Sequence, residues 1–134
     1  MGFHKTILII DDDKRYTSLL SEELQDEGYK TVRAGNGAEA ISILKDLEPD
    51  LIILDIIMPI MSGIEALGPI VRQNKGVPII LHSSCPDFKK DFKSWQADAY
   101  LIKSSDFSEL KREVKKLLNL DKESQAHADV FEPK

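Results

Sequence analysis

The sequence predicts an α/β fold, with five short strands alternating with five helices and a parallel sheet covered on both faces. Three observations carry this. Short apolar runs, rich in isoleucine, recur at residues 7–10, 51–54, 79–81 and 100–102, with a weaker one at 29–34. The runs at 7–10, 51–54 and 79–81 show no polar alternation, which is how strands buried on both faces of a parallel sheet read. Helical periodicity fills every gap between the runs.

Taken in order, the first run is followed by Tyr16, Leu19, Leu20 and Leu24 on one helical face. Gly28 then ends the pattern as a left-handed cap. After the weaker run, Asn36 and Glu39 open a second helix containing Ile41, Leu44 and Leu47. Ser62-x-x-Glu65 forms a capping box for a third. Gly68-Pro69 inside it is expected to kink or shorten that helix. Pro86 starts a fourth, short helix with Phe88, Phe92 and Trp95 at i, i+4 and i+7 as a core stripe, and Lys89, Lys90 and Lys93 on its solvated side. Asp106-x-x-Glu109 caps a fifth, which carries Phe107, Leu110, Val114, Leu117 and Leu118. Residues 1–120 thus read as one domain, and 121–134 as a polar, aperiodic and mobile tail or linker remnant.

The chain has 134 residues, 42% of them hydrophobic, enough for one domain with a real core. Its net charge of -5 makes nucleic acid a poor default partner. The one cysteine, Cys85, cannot form an internal disulfide, and no run approaches the roughly 20 apolar residues that span a membrane. The N-terminus lacks the apolar segment of a signal peptide. A cytoplasmic domain with no membrane association is the expectation.

Open α/β sheets bind ligands beyond the carboxyl ends of their strands. Asp11, Asp12 and Asp13 follow the first run, Asp55 the third, His82 and Ser83 the fourth, and Lys103 the fifth. Each alone has a plain reading: Asp13 as a helix cap, Asp55 as a turn cap, Ser83 as a turn residue, Lys103 as a solvated amine. His82 reads as a strand residue facing a helix. Together the groups would collect acids, a hydroxyl and an amine on one edge. Two carboxylates 4 Å apart repel by roughly 4 kcal/mol at an effective dielectric of 20. A hard dication with oxygen ligands would offset that, and Mg²⁺, which keeps several waters, suits a shallow loop site.

In "ILIIDDD", "DLIILDIIMPIMSGIEAL", "VPIILHSS" and "ADAYLIK" the chain resembles the receiver domain of bacterial response regulators over about residues 5–120. That resemblance implies a (βα)5 flavodoxin-like three-layer sandwich with strand order 2-1-3-4-5. It implies that Asp55 is the phosphoacceptor and that Asp11, Asp12, Asp55 and the backbone carbonyl of Ile57 hold Mg²⁺, with Asp12 as the direct ligand of the acidic pair. Ser83 then matches the hydroxyl that bonds the phosphoryl group, Lys103 the lysine that pairs with it, and Tyr100 the aromatic switch residue. Pro59 and Gly63 match the turn after the phosphorylated strand. The implied partners are a sensor histidine kinase or phosphotransfer protein and a downstream protein target. The last strand and last two helices form the switching surface, on a monomer or a phosphorylation-linked dimer. The chain would be a switch that catalyses only its own phosphoryl transfer and loss.

Two positions depart from or modulate the pattern. Ser104 stands where the family has proline, so the Lys103–Ser104 bond is either trans with a shifted loop or cis at a cost of roughly 2.5–4 kcal/mol. Ile57, two residues after Asp55, and Cys85, two after Ser83, occupy positions that set phosphoryl lifetime in this family. Two rival readings compete with this one. A haloacid-dehalogenase-type phosphatase would use Asp11 as nucleophile and Asp13 as acid/base, but it needs a further acidic pair and leaves Asp55 unexplained. A degenerate, partner-binding receiver would not require the intact acids, Ser83 and Lys103. No segment resembles an output domain, so the expectation is a stand-alone receiver or a fragment of a longer protein.

Overall fold

The computed structural model of the chain describes residues 4–57, 63–84 and 96–131. β1 (Thr6–Ile10), β2 (Lys30–Ala34), β3 (Leu51–Leu54), β4 (Ile79–Ser83) and β5 (Ala99–Ile102) coincide with the five apolar runs to within two residues. They form one all-parallel sheet in the order β2-β1-β3-β4-β5. The helices are α1 (Lys14–Asp26), α2 (Gly37–Ile43), α3 (Gly63–Gln73) and α4 (Ser108–Phe131). The helix expected after Pro86, with its aromatic stripe and lysines, falls in residues 85–95, outside those described. So do Pro59, Ser62 and Cys85.

Because side chains alternate across a strand, the sheet sorts its apolar residues into two cores. Leu8, Ile10, Ile52, Leu54, Leu81 and Tyr100 face α2 and α3, against Ala40, Ala66, Leu67 and Ile70. Ile7, Ile9, Leu51, Ile53 and Ile80 face the other way, against Leu20 and Leu24 of α1 and Leu110, Val114 and Leu118 of α4. This is the three-layer sandwich. Among the described residues no helix is long and apolar enough to cross a membrane.

Several local expectations hold. Gly28 lies in the left-handed region at φ 97°, and its N–H donates to the Gln25 carbonyl. Asn36 caps α2 by accepting from the Glu39 N–H at 2.8 Å, while Glu39 accepts from the Gly35 N–H at 2.6 Å. Others are corrected. Leu19 is 51% exposed, and the buried stripe of α1 is Thr17, Leu20, Ser21 and Leu24. The polar members are satisfied there: the Ser21 hydroxyl lies 2.5 Å from that of Thr31, and the Gln25 amide donates to both. α2 stops at Ile43, leaving Leu44 as its C-cap and Leu47 beyond it. α3 continues through Pro69 to Gln73 and is not cut there. Asp106 bonds the N–H of Ser108, two residues on, so α4 starts later than a box with Glu109 requires. α4 also continues past Leu120 to Phe131, so residues 121–131 are helical although their sequence carries no apolar period.

At the amino ends of the strands, two aspartates do the same job. Asp50 accepts from the Thr6 N–H at 2.7 Å while its own N–H donates to the Thr6 carbonyl at 2.8 Å. Asp98 accepts from the Ile79 N–H at 2.8 Å while donating to the Ile79 carbonyl at 2.8 Å. Each satisfies a strand-end donor that the ladder leaves over.

Candidate functional site

At the opposite, carboxyl edge, Asp11, Asp55 and Lys103 are each the first residue to leave a strand, with the backbone still held by the neighbouring one. The Asp11 N–H donates to the Ala34 carbonyl at 3.0 Å, that of Asp55 to Ile10 at 2.9 Å, and that of Lys103 to Ser83 at 2.8 Å. The sheet therefore fixes where these side chains begin. β1 and β3 are adjacent while β2 lies beyond β1, so Asp11, Asp12 and Asp55 gather at the switch in strand order, where such sheets bind ligands.

One carboxylate oxygen from each of Asp11, Asp12 and Asp55 lies within 4.8 Å of the others. Asp11 and Asp55 are buried and Asp12 is exposed. The Lys103 ammonium sits 2.7 Å from Asp11 Oδ2 and 3.1 Å from Asp55 Oδ2. The Ile57 N–H donates to Asp55 Oδ1 at 3.1 Å, and the Asp13 N–H to Asp11 Oδ1 at 2.9 Å. Burial pushes the Asp55 carboxyl above the usual carboxylate range. The Ile57 N–H and the Lys103 charge act against that, and Asp11 adds to it. Burial alone would lower the Lys103 ammonium, but its bond to Asp11 and the charges of Asp11 and Asp55 prevail and raise it.

Asp13 is not part of the cluster. It caps α1, accepting from the Tyr16 N–H at 3.0 Å. Ser83 is 1% exposed at the end of β4, and the Tyr100 ring is 3% exposed within the α2/α3 core. Ile57 is 54% exposed. No described peptide bond is cis, so Lys103–Ser104 is trans.

Sequence reasoning missed Tyr16, which it assigned to a core stripe. Its hydroxyl lies 3.1 Å from His82 Nε2 and its ring lies 4.8 Å beneath the Lys103 ammonium. The available signal was a tyrosine in an otherwise aliphatic stripe, because a buried tyrosine hydroxyl needs a partner. His82 does face a helix, as expected. Burial, and then the Lys103 charge, push its imidazole down to about 4. That value lies below the roughly 6.5 of an unfolded histidine, so folding favours the neutral ring. Stability should fall by on the order of 3 kcal/mol as pH drops from 6.5 to 4. The variant His82→Leu is expected to lose this part of the acid slope in urea denaturation at stepped pH. Parallel slopes for the two proteins would refute it.

Fold and site together define a doubly wound α/β domain with an acidic, lysine-bridged cluster at its topological switch point. The response regulator receiver domain model matches residues 7–115, and the chain belongs to that family. Receiver domains are the signalling switches of two-component systems. The chain is 38% identical over 101 residues to the chemotaxis protein CheY of Halobacterium salinarum, covering 74% of this chain and 84% of that protein. It is 36% identical over 81 residues to the DNA-binding response regulator MtrA of Mycobacterium tuberculosis, where the match covers 60% of this chain and 35% of that protein. Thus it spans about a third of that relative's length. Among solved structures, response regulator protein TrrA from Thermotoga maritima, in complex with Mg²⁺-BeF, superimposes with a TM-score of 0.79 at 46% identity, covering 84% of this chain and 98% of that one. The same regulator has also been solved in complex with the histidine kinase ThkA.

Proposed function

We propose that Asp55 accepts a phosphoryl group from a sensor histidine kinase or phosphotransfer protein, and that the resulting acyl phosphate switches a protein-binding surface. The observation that carries this is the Lys103 ammonium bridging Asp11 and Asp55 beside the exposed Asp12. Three carboxylates against one ammonium leave two negative charges, the complement of one dication. Asp11, Asp12, Asp55 and the Ile57 carbonyl would hold Mg²⁺, and the exposure of Asp12 leaves room for the waters that ion retains. Bound there, Mg²⁺ supplies charge neutralisation for the transferring phosphoryl oxygens.

The chain's own part is nucleophile and positioning. An Asp55 oxygen attacks phosphorus, the bond to the donor imidazole nitrogen breaks, and that nitrogen takes a proton from solvent. Lys103, already on Asp55, follows the new negative charge, and the Ser83 hydroxyl on the adjacent strand is the second donor. Both moves strain the packing of β4 and β5, where Tyr100 is buried. In this reading the protein acts in the cytoplasm through protein contacts and catalyses only its own phosphoryl transfer and loss. Residues 1–120 are the receiver unit, and α4 continues beyond them to Phe131.

Intact-mass measurement after incubation with acetyl phosphate and Mg²⁺ tests the reading. One phosphoryl adduct is expected in the wild type and in Asp13→Asn, and none in Asp55→Asn. An adduct that survives Asp55→Asn but not Asp13→Asn would favour phosphatase-type chemistry instead. The side chain of Ile57, exposed and apolar, cannot orient an attacking water by hydrogen bonding. Slow loss of the phosphoryl group is therefore expected, and Ile57→Asn should shorten its lifetime several-fold, read by following adduct decay after donor removal. An unchanged lifetime would remove Ile57 from the account.

A further inference from the structure

Tyr16 stands on α1 between the acid cluster and the segment that follows β5. Its ring packs on His82, with centroids 5.5 Å apart, and edge-on against Phe107, also at 5.5 Å. The Lys103 ammonium lies 4.8 Å over its face. Its hydroxyl is 3.1 Å from His82 Nε2. The phosphoryl transfer set out above uses none of these contacts.

The other ring nitrogen of His82, Nδ1, is buried without a partner among the described residues, so the Tyr16 hydroxyl on Nε2 is the ring's polar contact. His82 is buried in β4 beside Ser83, whose carbonyl holds the Lys103 N–H. Tyr16 thus connects a fixed strand to the ammonium of Lys103. Ser104, Ser105 and Asp106 are exposed, and a lysine stem is flexible. An aromatic face also attracts an ammonium.

We propose that Tyr16, anchored on His82, is a positioning residue that keeps the Lys103 ammonium between Asp11 and Asp55. Its kinetic consequence rests on the proposed phosphoryl transfer to Asp55, whereas its structural consequence does not.

The test uses the full chain with Mg²⁺ and acetyl phosphate, following adduct formation by intact mass. Tyr16→Phe, which keeps the ring and loses the hydroxyl contact with His82, should slow the maximal rate about threefold. Tyr16→Leu, which also loses the aromatic face, should slow it about tenfold or more. The donor concentration at half-saturation should stay unchanged in both. In a Lys103→Met background, Tyr16→Leu should add nothing, because it acts through that lysine. A wild-type rate in folded Tyr16→Leu, or losses that simply add, would overturn the proposal. In parallel, the ¹⁵N ammonium resonance of Lys103 in the unphosphorylated protein should be protected from exchange in wild type and Tyr16→Phe, and weakened in Tyr16→Leu. An unchanged resonance would also overturn it. Should the wild type form no adduct, the reading of Asp55 fails, and the ammonium resonance still decides the positioning role.

Discussion

Lys103→Met is expected to destabilise the fold by about 3 kcal/mol at pH 7, because it leaves Asp11 and Asp55 buried together without their shared cation. The loss should depend on pH in a defined direction. Without the ammonium, the Asp55 carboxyl titrates still higher in the folded state than it does now. An acid whose folded pKa is raised destabilises the fold above that pKa, and the penalty vanishes below the unfolded value of about 3.9. The gap between variant and wild type should therefore be widest near neutrality and shrink as pH falls through the raised values towards 4. Mg²⁺ should close part of it at pH 7, since binding to the folded state adds about 2.7 kcal/mol at a hundredfold excess over Kd. Urea denaturation at pH 7 and pH 4, with and without Mg²⁺, reads all of this. A deficit that ignores both pH and Mg²⁺ would mean that Lys103 matters through its aliphatic stem.

Asp55→Asn should do the opposite to stability while abolishing phosphoryl transfer. The Asp55 carboxyl is raised chiefly by burial, so its ionised form costs the folded state above that raised pKa. An amide of the same shape removes the cost, while Lys103 keeps its bond to Asp11 at 2.7 Å. A gain of about 1 kcal/mol at pH 7 is expected, the usual size when a strained functional group is neutralised. It should fade as pH approaches 4, where the wild-type carboxyl is itself protonated. Thermal unfolding of both proteins across that range checks the sign. An Asp55→Asn variant less stable than wild type at pH 7 would contradict the assignment of Asp55 as an under-neutralised group.

The strands and the site were legible in the sequence for one reason. A strand buried on both faces must be continuously apolar, so the first polar residue after each run marks the sheet's edge. Asp11, Asp55 and Lys103 were found that way, and Ser83 stands one residue beyond His82, the first polar residue of its run. Helix details were less legible because periodicity fixes a face but not its centre. Leu19 shares the stripe of Leu20 and Leu24, yet α1 is rolled so that Thr17 and Ser21 are buried instead. The Thr17 hydroxyl is tolerated there by donating to the Lys14 carbonyl, and that of Ser21 through Gln25 one turn on and Thr31 on β2, a strand partner that the periodicity of α1 does not announce. The start of α4 slipped because Asp106 bonds Ser108 and not a residue one position further on. Its continuation to Phe131 was missed because a polar segment can be helical without an apolar stripe. Tyr16 was misread because a stripe position gives no hint of the strand partner its hydroxyl will meet.

The aspartates at the two ends of the sheet divide a problem of selection. This chain carries 23 acidic side chains, any of which attracts a dication. Asp50 and Asp98 each commit an oxygen to a neighbouring strand's N–H, and among the described residues neither belongs to an acidic group placed to hold an ion. At the other edge, parallel strands that run side by side carry Asp11, Asp12 and Asp55 to one place. The polarity of the sheet thereby acts as an address: one residue type closes the structure at its lower rim and is assembled at its upper rim into a group that could hold an ion. For the Mg²⁺ proposed above, strand direction sorts the acids before any side chain chooses a rotamer.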